Sequence, residues 1–67
     1  MSEKYISKAP IRRLMKEQGA YLVAEDAVVS LISYLEKYAQ EVTKKALDYA
    51  KKDKRKKLLA DDILGVQ

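Results

Sequence analysis

The chain contains no cysteine and no histidine, one proline and two glycines. Without cysteine there is no disulfide, no thiolate nucleophile and no thiolate metal site. Without histidine, zinc loses another of its usual ligands, and acid–base chemistry near neutral pH would need a strongly shifted carboxylate or lysine. No nucleophile–base pair stands out. The expectation is a non-enzymatic chain with no catalytic residues, no metal or other cofactor and no small-molecule substrate. Tryptophan and phenylalanine are also absent, which argues against an amphipathic helix lying on a membrane. No apolar run approaches a membrane span and nothing resembles a signal peptide, so a soluble, intracellular chain is expected. At 67 residues it is a single domain, and 48% hydrophobic with 36% charged residues reads as folded and helix-rich rather than disordered.

What the chain does have is one helical pattern too long for its size. Neither glycine nor proline occurs from Ala24 to Lys52. Apolar residues recur there at helical spacing: Val28, Leu31, Ile32, Leu35, Tyr38, Ala39, Val42, Ala46, Tyr49 and Ala50. Such a helix is roughly 40 Å long, whereas a typical globular helix has about 11–12 residues. The rest of the chain can supply only two short helices and some loops, which cannot cover that stripe. A second copy of the chain can, so the periodicity predicts an obligate dimer.

Charge is unevenly distributed. Residues 1–16 carry five basic groups against one acidic, and residues 51–57 carry six against one, while the stretch between them is net acidic and the formal total is +4. Two basic clusters on a small dimer make a footprint for a polyanion. The plainer alternative is that they are solvated helix ends.

The punctuation gives the organisation. Residues 1–8 read as a flexible arm and 9–67 as one domain. Pro10 suits a first helical turn, where its missing N–H has no partner. Ile11, Leu14 and Met15 mark an apolar face, and Gly19 ends this first helix, giving about Pro10 to Gln18. Residues 20–23 form a connector. Glu25 and Asp26 sit in the first turn of the long helix, favourably for its dipole, and Ala24 is a poor N-cap. Residues 53–57 read as a loop, and residues 60–64 as a third helix of little more than one turn, ended by Gly65.

This arrangement resembles the archaeal histones and the wider histone-fold family, without gaps from about Ala9 to Ile63. The resemblance rests on Ala9-Pro10-Ile11-x-Arg13 with Lys16, on Gly19-Ala20-x-x-Val23-x-x-Asp26-Ala27, on the long helix, and on the stretch from Lys54 to Ile63. There the family usually has Arg-Lys-Thr followed by an Ala-Glu-Asp-Ile-like run. It implies an all-α histone fold assembled as a handshake dimer, with Leu31, Leu35, Tyr38 and Val42 near the crossing of the two long helices. It also implies duplex DNA as the partner, met by the paired loops and the starts of the first helices. The residues concerned here are Arg12, Arg13, Lys16, Lys54, Lys56 and Lys57, which fall in the two basic clusters. Finally, it implies an internal salt bridge between Arg55 and Asp62, the competing role of Arg55 being a phosphate contact.

Departures from the family pattern matter as well. Leu22 stands where many archaeal histones carry a minor-groove arginine, with Tyr21 beside it either on a sugar or at the dimer edge. Lys57 replaces the usual threonine, and Arg12 stands where the family often has glycine. The third helix is short, which places the sequence nearer the prokaryotic variants with a truncated third helix. In nucleosome-like members that helix and the end of the central one join dimer to dimer; here the surface would show Tyr49, Lys52 and Gly65.

The expected function is therefore a chromatin protein, nucleoid-associated in the cytoplasm. It would bind duplex DNA through phosphates with little sequence specificity, as a homodimer or a homotetramer, and bend, wrap or bridge it. The alternative is a histone-fold interaction subunit of a transcription-related assembly.

Overall fold

The structure is a computed structural model that describes residues 4–66. Met1 to Glu3 of the expected arm, and Gln67, lie outside the described residues. The described chain is all-α: α1 (Lys8–Glu17), α2 (Glu25–Lys52) and α3 (Ala60–Leu64). It divides into two compact units, Met1–Lys37 and Tyr38–Gln67.

In the first unit, α1 opens two residues before the expected Pro10. Ser7 takes the extended N-cap conformation, so Pro10 becomes the third helical residue, still among the positions whose N–H has no intrahelical acceptor. Ahead of α1, the backbone N–H groups of Tyr5 and Ile6 both donate to Glu36 Oε2, at 2.9 and 3.0 Å. The other end of α1 closes in a Schellman arrangement. Gly19 N–H donates to the Lys16 carbonyl and Ala20 N–H to that of Met15, with Gly19 at φ 113°, a conformation that side chains disfavour. The Ala24 carbonyl accepts from Ala27 and Val28 and starts α2. Val28 and Ile32, one turn apart on α2, are fully buried. No residue of α1 is buried.

In the second unit, Val42, Ala46 and Ala50 repeat every four residues along α2 and form the buried stripe. The C-terminus of α2 closes with a second Schellman pair. Lys54 N–H donates to the Lys51 carbonyl and Arg55 N–H to that of Ala50, with Lys54 itself in the left-handed position at φ 58°. Helix α3 is five residues long. Its N-cap, Leu59, has no polar side-chain atom, so capping comes from the other direction: Leu59 N–H donates to Asp62 Oδ2 at 2.8 Å. The Tyr49 hydroxyl donates to the Gly65 carbonyl at 3.3 Å, just past the end of α3.

Of the residues expected at the helix crossing, Leu31 and Leu35 are half-buried, Tyr38 is 49% exposed, and Val42 is buried.

Candidate nucleic-acid interface

The loop after α2 is organised by one residue. Arg55 grips Asp62 with both ends of its fork, Nη1 to Oδ2 at 2.9 Å and Nη2 to Oδ1 at 2.8 Å. The same guanidinium donates to the Lys57 carbonyl at 3.0 Å and reaches Asp53 at 3.3 Å. Asp62 is the one charged residue that is buried among those described. Its carboxylate accepts from Arg55 and from the Leu59 N–H, and these bonds, with the nearby positive charge, hold its pKa down at about 2 against the opposing effect of burial. Asp62 pushes the Arg55 guanidinium in the reverse direction, towards firmer protonation. Such paired forks fix geometry as well as charge. Arg55 is thus turned inward and pins the loop, while its neighbours Lys54, Lys56 and Lys57 are exposed and make no ion pair among the described residues.

The first basic cluster has a parallel construction. Arg12, expected among the polyanion contacts, is engaged inside the chain. Its Nη1 donates to the Val23 carbonyl at 2.8 Å and its Nη2 meets Glu25 Oε1 at 2.6 Å. Lys8 takes the other oxygen, Nζ to Oε2 at 2.7 Å. The two cations hold the Glu25 carboxyl below its ordinary pKa, the Lys8 hydrogen bond and charge first and Arg12 after it. The engagement of Arg12 has a physical reason: a connector of a few residues brings the start of α2 back within reach of α1. Arg13 and Lys16, by contrast, are exposed and carry no ion pair among the described residues.

The two clusters therefore share a logic. In each, one arginine stabilises the backbone of a connector through a carboxylate and a carbonyl, while Arg13 and Lys16 in the first and Lys54, Lys56 and Lys57 in the second are exposed without an ion pair among the described residues. The connector after α1 exposes Tyr21 and Leu22, at 88% and 84%. Among the described residues no group of acidic side chains is arranged to hold a metal ion, and no helix is long and apolar enough to cross a membrane.

The family model described as histone-like transcription factor (CBF/NF-Y) and archaeal histone matches residues 5–66. An archaeal histone of the HAN1 type from Thermococcus zilligii is 49% identical over 55 residues, 82% of either chain. Probable archaeal histone 3 of Methanocaldococcus jannaschii is 38% identical over 55 residues, again 82% of both. DNA-binding protein HmvA of Methanococcus voltae is 38% identical over 58 residues, which is 87% of this chain and 59% of that longer one.

Proposed function

The chain belongs to the family of histone-like transcription factors (CBF/NF-Y) and archaeal histones, and from that premise we propose how it works. It is an architectural chromatin protein that holds duplex DNA through phosphates with little regard to base sequence. Arg13, Lys16, Lys54, Lys56 and Lys57 are the contacts, and Arg12 and Arg55 set the backbone that presents them. The observation that carries this reading is the sorting of charge in the two clusters: each commits one arginine inward, and together they leave these five cations exposed without an ion pair among the described residues. Lysine and arginine contacts to phosphate position a protein on DNA without reading it. Binding is driven by release of counterions, so no cofactor and no catalytic group take part.

The working unit is a homodimer. A single copy leaves α1 without a buried residue and Tyr38 and Tyr34 49% and 66% exposed. A second copy covers these faces and doubles the number of cations along the duplex. Pairing of dimers into tetramers and residence on the chromosome in the cytoplasm complete the reading.

The test is a duplex titration at several salt concentrations. With about three of these five cations per protomer neutralising a phosphate at any one time, log K against log salt falls with a slope of about −5 for the dimer. Replacing Lys56 and Lys57 by alanine should weaken binding and flatten that slope while leaving the Tm in place. Absence of binding at low salt would instead favour the interaction-subunit reading, in which partner surfaces and not phosphates occupy the dimer.

A further inference from the structure

Lys8, Arg12 and Lys16 follow one another at i, i+4 and i+8 on α1 and so share one face of the helix. Lys16 makes no ion pair among the described residues. The other two converge on a single carboxylate, each taking one oxygen of Glu25, at 2.7 Å from Lys8 and 2.6 Å from Arg12. Two acceptor oxygens on one centre, gripped by an ammonium and a guanidinium, are also what a phosphodiester offers through its two non-bridging oxygens. The carboxylate stands at the surface, with the Glu25 side chain 59% exposed and those of Lys8 and Arg12 about a third exposed. Ion pairs facing water contribute little to stability and are screened by salt, so an exchange of one anion for another costs the fold little.

We propose that Lys8 and Arg12 form a latent phosphate site, occupied by the Glu25 carboxylate in free protein and handed to a DNA phosphate when Lys16 is engaged on the same duplex. The inference rests on the DNA-binding reading above and extends it: Glu25 sets how many cations of α1 count towards binding. A duplex at low salt displaces the carboxylate and gains the additional contacts, and rising salt returns the cations to Glu25 before the remaining contacts are lost.

The experiment compares duplex affinity over a range of salt for the parent, Glu25→Gln, Glu17→Gln and the double variant Arg12→Ala/Glu25→Gln. Glu17 is an exposed carboxylate of α1 without an ion pair among the described residues, so its neutralisation reports the general effect of removing one negative charge. Glu25→Gln should bind more tightly than Glu17→Gln. Its salt slope should change from that of the parent by about 0.9 for each contact altered, and removal of Arg12 should cancel the gain. In the parent protein, the carboxyl carbon resonance of Glu25 should shift as duplex is added, a reading that needs no variant. Equal behaviour of Glu25→Gln and Glu17→Gln, a gain that survives without Arg12, or a Glu25 resonance indifferent to duplex would each overturn the latch. If the parent binds duplex while any of these holds, the latch alone fails; if the parent does not bind at all, the DNA-binding reading fails with it.

Discussion

Lys54 and Arg55 are neighbours in a run of like charge, and the fold uses them in opposite ways. Lys54 occupies the left-handed position that closes α2, at φ 58°, where a side chain costs about 1 kcal/mol relative to glycine. Lys54→Gly should therefore raise stability by about that amount in denaturant unfolding, while flattening the salt slope of DNA binding by about 1.8, since each protomer of the dimer loses one contact. A variant both less stable and weaker in binding would refute this division. Arg55 instead turns back onto Asp62. Removing either partner strands the other, with Asp62 the more costly to leave since it is buried. Arg55→Ala and Asp62→Ala should each lower the Tm by more than about 5 °C, although the second removes a negative charge and on electrostatics alone would only tighten DNA binding. The same bridge has a pH signature. Asp62 titrates at about 2 in the folded chain against an ordinary value of 3.8, so the folded state binds fewer protons between the two. The stabilisation is complete above about pH 4 and is lost as pH falls towards 2. Thermal melts across that interval should show the parent losing more Tm than Asp62→Asn. At this scale the sequence is only partly legible. Seven residues of separation name no pair, and it is the family resemblance that links Arg55 with Asp62. The inward turn of Arg12 is not legible at all, because its partners Val23 and Glu25 meet it only once the connector has folded back.

At the level of elements, periodicity and punctuation are the most readable signals. The uninterrupted apolar spacing marks α2 over nearly its full length, and Gly19 stops α1 by adopting the left-handed conformation that its type allows. The sequence places the start of α1 two residues late, because proline favours the first helical position, whereas any of the first-turn positions lacks an acceptor for its N–H. Ala24 remains a weak point. It stands at the start of α2 with no side-chain oxygen to satisfy the exposed N–H groups of the first turn, and the acidic pair Glu25 and Asp26 helps only through the dipole. Ala24→Ser should stabilise the chain by about 1 kcal/mol, measured by chemical unfolding. A neutral or destabilising result would mean that the first turn is already satisfied by other groups. Helix α3 depends on tertiary support: five residues are too few to persist alone, and Asp62, capping Leu59 and bridging to Arg55, supplies that support.

For the whole molecule, the pattern of exposure is more telling than any one contact. The buried apolar residues among those described are Val28, Ile32, Val42, Ala46 and Ala50, two of them alanines, which is too small a core to hold a chain of this length on its own. Meanwhile Leu14, Tyr34 and Tyr38 remain 49–66% exposed on the two principal helices. The excess length of α2 makes the need for a partner surface legible in the sequence. Periodicity does not separate the apolar positions that serve the chain itself from those that await its partner, since both lie on the same helix at helical spacing. The central claim, a dimer that holds duplex DNA through phosphates, is tested most directly by sedimentation velocity of the pure chain with and without a short duplex, at low and high salt. The expected result is a dimer or a multiple of one at micromolar concentration, binding to duplex in units of dimers at low salt and released from it as salt rises. A folded monomer that sediments unchanged in the presence of duplex would contradict it.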